Sequence, residues 1–135
     1  MSVALITGAS KGIGKAIAEE LAKRKTDVLL VARSGDLLKQ LAASLSAAYS
    51  VKADYLVADL TEPDAAKKIF QWCTEKNYPV NMLINNAGYG LSGTFENYPL
   101  QDHLDVMKVN MNESNIISLF HLYLRHSLLL QFYLK

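Results

Sequence analysis

Four short apolar runs, each followed by a segment with helical periodicity, constrain the fold of this chain more than any other feature. The runs are residues 3–7, 27–33, 53–58 and 80–85. In residues 28–32 the sequence Val-Leu-Leu-Val-Ala leaves no polar face, which is typical of a strand buried on both sides. The connections between the runs are long enough for crossover helices. The sequence therefore predicts an α/β fold: a doubly wound parallel sheet of four strands with flanking helices.

Helices are predicted over residues 12–24, 35–49, 61–76 and 100–109. In the first, Ile13, Ile17 and Leu21 recur at helical spacing and are expected to form its apolar face. The third begins at the sequence Thr-Glu-Pro-Asp. There Thr61 is predicted as the N-cap, because an acidic residue follows three positions later and a proline lies in the first turn.

Composition and charge exclude several function classes. The net charge of +1 provides no electrostatic footprint for nucleic acid or an anionic membrane surface. The single Cys73 excludes an internal disulfide and a multi-cysteine metal site, and the three histidines have no ligand spacing, so no metal site is predicted. The apolar run before Thr7 is too short for a signal peptide, and a cytoplasmic location is expected.

The amino-acid composition of the sequence changes near residue 112. Residues 116–134 are mostly Ile, Leu, Phe or Tyr, on every side of a helical wheel, and they predict an apolar C-terminal helix. His121, Arg125 and His126 lie near its centre, where a membrane-spanning segment rarely carries such residues. We therefore expect a single domain over residues 1–135, with residues 112–135 as an atypical tail and no membrane partner.

Two loops of small and amide residues follow the first and fourth apolar runs. The first is Thr-Gly-Ala-Ser-Lys-Gly-Ile-Gly over residues 7–14, and the second is Asn-Asn-Ala-Gly over residues 85–88. Gly8 permits a tight turn, Gly12 removes a Cβ where a pyrophosphate must approach, and Gly14 lets the helix pack closely on the sheet. Free N–H groups at the start of that helix bind phosphate. Alone, this glycine spacing could equally be an ordinary strand-to-helix turn.

Together with Asp59 after the third run, these loops resemble the short-chain dehydrogenase/reductase family from about Val3 to Asn112. The resemblance implies a Rossmann-type dinucleotide-binding fold with sheet order 3-2-1-4-5-6-7. It implies that Asn110 is the helix asparagine that holds a water of the proton relay, although Asn110 could also be an ordinary polar helix residue. It implies three groups of cofactor-binding residues: Gly8, Ser10, Gly12, Ile13 and Gly14 at the phosphates and adenosine ribose; Asp59 and Leu60 at the adenine; Asn86, Ala87 and Gly88 at the nicotinamide ribose.

The end of the second strand bears on the choice of cofactor. An NAD-binding site usually has an acidic residue there for the ribose hydroxyls. Here the sequence is Val-Ala-Arg-Ser, and Lys11 precedes Gly12. Arg33 and Lys11 would pair with a 2′-phosphate, so NADP(H) is predicted, with NAD(H) as the less favoured alternative. Both cations could instead be solvated surface charges.

The catalytic Ser, Tyr and Lys that the resemblance implies do not occur in these 135 residues, since no Tyr has a Lys four positions later. The tail is interpreted as a divergent helix on a truncated chain, a shifted reading frame, or a fragment, and the second interpretation is favoured. The first function hypothesis is an NADP(H)-dependent oxidoreductase that interconverts an alcohol and a carbonyl of a small-molecule substrate. The second is a non-catalytic nucleotide-binding or interaction module. A homo-oligomer, or association through an exposed sheet edge, is also expected.

Overall fold

The structure, a computed structural model, describes residues 2–88 and 94–113 of the chain. Four strands form one sheet in the order β3-β2-β1-β4, and every neighbouring pair is parallel. The predicted doubly wound parallel sheet is confirmed, with the strand order that the resemblance implied. The strands are β1 (Val3–Thr7), β2 (Asp27–Ala32), β3 (Ala53–Val57) and β4 (Met82–Ile84).

Helices connect consecutive strands and continue after the fourth. Three α-helices provide the crossovers, and a fourth runs directly into a π-helical segment, residues 108–113. A short 3-10 helix, Phe95–Asn97, precedes the fourth α-helix. The α-helices are α1 (Gly12–Lys23), α2 (Gly35–Tyr49), α3 (Ala65–Glu75) and α4 (Leu100–Met107).

Alternate residues of the central strands face opposite sides of the sheet, and each side has its own apolar core. Val3 and Leu5 of β1 belong to the core that contains Ile69 of α3. Ala4 and Ile6 belong to the core under α1 and α2. Strands β1 and β2 are buried on both faces because helices cover both, which explains why residues 3–6 and 28–32 are all apolar.

The predicted apolar face of α1 is wrong in detail. The buried residues of this helix are Gly14, Ala18 and Ala22, whereas Ile17 is partly buried and Ile13 is 72% exposed. Small residues occupy the contact line because α1 lies close to the sheet, and larger side chains are displaced to its flanks.

Two predicted boundaries also differ. Helix α3 begins at Ala65 rather than near Thr61, because the Thr61 hydroxyl donates to the Asp59 carboxylate at 2.8 Å and does not cap the helix. Strand β4 begins at Met82 rather than at residue 80. At Asn81 the backbone N–H donates to the Val3 carbonyl oxygen at 3.1 Å, but the Val3 N–H donates to the Asn81 carboxamide oxygen at 3.0 Å and not to a backbone carbonyl of β4.

The predicted C-terminal helix over residues 116–134 lies outside the described residues. Within residues 2–88 and 94–113, no helix is long and apolar enough to cross a membrane.

Candidate dinucleotide-binding site

A cavity of about 400 Å³ opens at the carboxyl ends of the strands, and all four strands contribute to it through the loops that follow them. In a parallel sheet this edge is where ligands bind, since the loops emerge together and the helix N-termini point towards them. The cavity is lined by Gly8, Ser10, Lys11, Ile13, Val31, Ala32, Arg33, Ser34, Ala58, Asp59, Leu60, Thr61, Asn86, Ala87, Gly88 and Val109.

Ten of the twelve residues predicted to bind a cofactor are in this lining, and Gly12 and Gly14 are the two that are not. Gly14 instead packs under the loop that carries Gly8. A Cβ on Gly14 would lie 2.3 Å from the Gly8 carbonyl oxygen and 2.5 Å from the Asn86 carboxamide nitrogen. Gly14 therefore allows the two glycine-containing loops to come into contact.

Gly8 and Gly12 both have a positive φ, +67° and +59°, which explains why neither position carries a side chain. A Cβ on Gly8 would lie 2.9 Å from the Ala87 Cα atom. A Cβ on Gly12 would meet no described atom within 4 Å. The space beside Gly12 is thus open with respect to the described atoms, and its use by a pyrophosphate stays a prediction.

The backbone N–H groups in the first turn of α1 have no partner within the helix, so they can donate hydrogen bonds to an anion. Lys11 occupies the N-cap position in an extended conformation, and no described side chain caps the helix. Ile13, in the same turn, exposes 72% of its surface at the cavity. An exposed apolar side chain beside free backbone donors fits a ligand that has both phosphate groups and an uncharged ring or sugar.

Thr7 joins the ends of β1 and β4 from inside the structure. It is 1% exposed, and its hydroxyl oxygen accepts from the backbone N–H groups of Asn86 at 3.2 Å and Ala87 at 3.0 Å. The Asn86 carboxamide donates back to the carbonyl oxygens of Thr7 and Gly8, both at 3.2 Å. The second loop is therefore held in one orientation before any ligand arrives.

Residues 59–62 form the adenine-side turn, named for the part of the dinucleotide that the resemblance assigns to it. The Asp59 carboxylate accepts from the Thr61 backbone N–H at 2.9 Å and from the Thr61 hydroxyl at 2.8 Å. The backbone N–H of Thr61 contributes most to lowering the pKa of Asp59, followed by the Thr61 hydroxyl and by the charges of Arg33 and Lys108. Asp59 is therefore ionised at neutral pH and acts as an acceptor.

Lys11 and Arg33 bring two positive charges to the cavity. Both side chains are exposed, and Arg33 also lines a smaller neighbouring cavity of about 310 Å³ that includes Asp59 and Lys68. Two exposed cations on one cavity wall attract an anionic group without the desolvation cost of buried charges.

Asn110 lies beside the cavity and is not among its lining residues in the described part of the chain. A Cβ added to Gly88 would lie 2.7 Å from the Asn110 carboxamide oxygen. Asn110 therefore occupies the space that a side chain at position 88 would need. Asn110 occupies the π-helical segment, a form of helix that is often found at functional sites. Its predicted role in a proton relay stays a prediction.

The sequence analysis did not assign Ser34, Thr61 or Val109 to the site, although all three line the cavity. Sequence position could have indicated them, because Ser34 follows β2, Thr61 follows β3 and Val109 precedes Asn110. Lys108, whose ammonium group donates to the Thr61 carbonyl oxygen, had no local signal, because the contact spans 47 positions of sequence. No group of three or more His, Cys, Asp or Glu residues that could hold a metal ion occurs in residues 2–88 and 94–113.

Comparison with known protein families gives a match to the short chain dehydrogenase model over residues 2–126. The match extends past Asn112, so part of the atypical tail also belongs to the family region. Hydroxysteroid dehydrogenase-like protein 1 of Gallus gallus is 35% identical over 84% of this chain and 35% of its own length. The 3-oxoacyl-(acyl-carrier-protein) reductase FabG of Aquifex aeolicus is 32% identical over 86% of this chain and 47% of its own length.

A similar solved structure is the short-chain dehydrogenase of Sphingobium yanoikuyae in complex with NADPH. It is 34% identical, with a TM-score of 0.84 over 90% of this chain and 47% of that protein. The chain thus spans less than half the length of these three proteins.

Proposed function

This chain belongs to the short-chain dehydrogenase family, and we propose that it forms the NADP(H)-binding part of an oxidoreductase that interconverts an alcohol and a carbonyl. One observation carries the proposal: a single cavity at the carboxyl edge of the parallel sheet is lined by loops from all four strands and by Lys11 and Arg33. The NADPH complex of the Sphingobium yanoikuyae protein supports the choice of cofactor.

The residues of the chain fit a dinucleotide phosphate along the length of the cavity. The free N–H groups of α1 and the open space beside Gly12 would hold the pyrophosphate. Asp59 would accept from the adenine amine, and Arg33 with Lys11 would pair with the 2′-phosphate. Asn86, Ala87 and Gly88 would border the nicotinamide ribose, with Asn110 beside them.

The nicotinamide ring, when bound, supplies or accepts the hydride of the oxidoreductase reaction. The chain's own contribution would be to bind and orient: Thr7 fixes the loop of residues 85–88, which would border the ring. Asn110, which lies against Gly88, would hold a water near that loop. We propose that residues 1–135 act as one dinucleotide-binding domain and that the substrate is a small carbonyl compound or alcohol.

A nucleotide-binding module without turnover is a second candidate for these 135 residues. It is favoured by one feature of the sequence, the absence of a Tyr followed four positions later by a Lys. Consumption of NADPH in the presence of a carbonyl compound would favour the oxidoreductase, whereas binding without consumption would favour the module.

We also propose that the chain associates with itself. Leu100, Leu104 and Met107 recur at helical spacing along α4 and are 72%, 46% and 54% exposed. Among the described residues, β4 pairs with β1 and with no other strand. An exposed apolar helix face and a sheet edge that no described strand pairs with are both surfaces that proteins usually cover.

The cofactor is tested by measuring the dissociation constants of NADPH and NADH for the full chain by isothermal titration calorimetry. We expect NADPH to bind about tenfold more tightly or better, since each charge-assisted hydrogen bond to the 2′-phosphate adds affinity. Arg33→Ala should weaken NADPH binding and leave NADH binding unchanged.

Arg24→Ala is the matched control, because Arg24 is an exposed arginine at the end of α1 that pairs with Glu20 at 2.8 Å and does not line the cavity. Equal affinities of the unchanged chain for the two cofactors, or tighter binding of NADH, would contradict the NADP(H) assignment.

A further inference from the structure

We propose that Lys108 is a positioning residue of the cofactor site, which holds the adenine-side turn in the conformation that receives the adenosine part of the dinucleotide. The inference rests on the proposed function and adds to it a residue outside the cavity lining. Two observations support the inference. Lys108 bonds to Thr61, and the π-helical segment that contains Lys108 contacts both ends of the cavity.

The contact joins two elements that are distant in sequence. The Lys108 ammonium group donates a hydrogen bond to the Thr61 carbonyl oxygen, in a partly buried position. The same turn is closed from within by Asp59, which accepts from the backbone N–H and the hydroxyl of Thr61. Because a lysine ordinarily keeps its ammonium group in water, its bond to a backbone carbonyl orders both the side chain and the turn.

Three consecutive residues of the π-helical segment touch different parts of the site. Lys108 bonds to Thr61 of the adenine-side turn, Val109 is 6% exposed and lines the cavity, and Asn110 contacts Gly88 of the opposite loop. A single short segment therefore connects the adenine end of the cavity to the nicotinamide end. Lys108 is the connection to the adenine end.

The electrostatics agree with this role. After the hydrogen bonds from Thr61, the positive charges of Arg33 and Lys108 also lower the pKa of Asp59. An ionised Asp59 can only accept, which suits the exocyclic amine of adenine. Lys108 thus fixes the position of the turn through Thr61 and favours the charged form of the carboxylate beside it.

The test compares Lys108→Met with the unchanged full chain for binding of NADPH and of adenosine 2′,5′-bisphosphate, a probe without nicotinamide. We expect both ligands to lose affinity by a similar factor, about tenfold, because the defect lies at the adenine end. Lys108→Arg keeps a charged donor and should retain most of the affinity. The midpoint of thermal unfolding without ligand shows whether each variant is folded. If Lys108→Met does not fold, Lys108→Gln replaces it. Glutamine keeps an uncharged donor, so we expect its affinity to lie between those of the Met variant and the unchanged chain.

Lys68→Met is the matched control. The Lys68 ammonium group pairs with Glu62 at 3.1 Å on the exposed side of the same turn, so this variant removes an equal charge without removing the bond to Thr61. Unchanged affinity for Lys68→Met supports positioning by Lys108. Equal losses in both lysine variants, a loss for NADPH alone, or no loss in Lys108→Met would overturn the inference. Failure of the unchanged chain to bind either ligand would instead overturn the proposed function, and this inference with it.

Discussion

Gly12 and Gly14, two residues apart in sequence, differ in why they lack a side chain. Gly14 is crowded: a Cβ there would be 2.3 Å from the Gly8 carbonyl oxygen, which belongs to the backbone and cannot rotate away. Gly12 is uncrowded, with φ of +59° and no described atom within 4 Å of an added Cβ. Gly14 thus allows α1 to pack closely against the loop after β1, whereas Gly12 has open space beside it, which we propose the cofactor occupies.

At this scale we expect Gly14→Ala to lower the free energy of unfolding by about 3 kcal/mol, because the backbone must shift to relieve the overlap. Gly12→Ala should cost about 1 kcal/mol for its positive φ, and it should weaken NADPH binding by about tenfold. Urea denaturation and calorimetric titration measure the two effects. A Gly12→Ala chain that binds NADPH as tightly as the unchanged one would contradict the assignment of that space to the cofactor.

At the scale of elements, β1 and β4 are parallel neighbours that the side chains of Thr7 and Asn86 also join beyond the ladder. The Thr7 hydroxyl accepts from two backbone N–H groups of the loop after β4, and those donors lie in a partly buried region. The hydroxyl therefore substitutes for ladder bonds at the point where β4 has ended, and it fixes the loop that borders the cavity.

Thr7→Val, which has nearly the same shape, should lower the free energy of unfolding by about 2 kcal/mol, because the Ala87 N–H loses its acceptor and the Asn86 N–H keeps only the Ile84 carbonyl oxygen. Thr7→Ser keeps the hydroxyl and loses one methyl group, at a cost of about 1 kcal/mol. Both values come from urea denaturation of the two variants beside the unchanged chain. A larger loss for the serine variant would show that packing of the methyl group, not the hydroxyl, stabilises this junction.

At the scale of the whole molecule, the apolar face of α4 and the edge of β4, with which no strand pairs in residues 2–88 and 94–113, predict association. Light scattering at micromolar concentration should give a mass above 15.0 kDa, the mass of one chain. The double variant Leu104→Lys, Met107→Lys should shift the mass towards that of the monomer, since it places charges on the apolar face.

Leu37→Lys is the control for this experiment. Leu37 is 44% exposed on α2, close to the 46% of Leu104, but it does not belong to the α4 face. A monomeric unchanged chain would contradict the proposed association. An unaltered mass for the double variant would exclude the α4 face as the surface involved.

The sequence predicted most of the fold because its signals are local. Continuous apolar runs such as residues 28–32 identify buried strands, and the glycines of residues 8–14 mark a strand-to-helix turn at a ligand-binding edge. Asp59 was assigned through the family resemblance and Arg33 from the end of the second strand, and both line the cavity because parallel strands bring their carboxyl ends together. The predicted start of α3 was wrong because the Thr61 hydroxyl has two possible partners, the helix N-terminus and Asp59. The sequence does not show which of the two hydrogen bonds is more stable.

By itself, the sequence determined the order of strands and helices, the edge of the sheet at which the loops meet, and the glycine positions that this edge requires. Each of these follows from interactions within a few residues of the chain. The tertiary structure alone decided that small residues of α1 face the sheet while Ile13 faces the cavity, and that Lys108 reaches Thr61. These outcomes depend on the distance between packed elements and on contacts across tens of residues, which no local pattern of side chains contains.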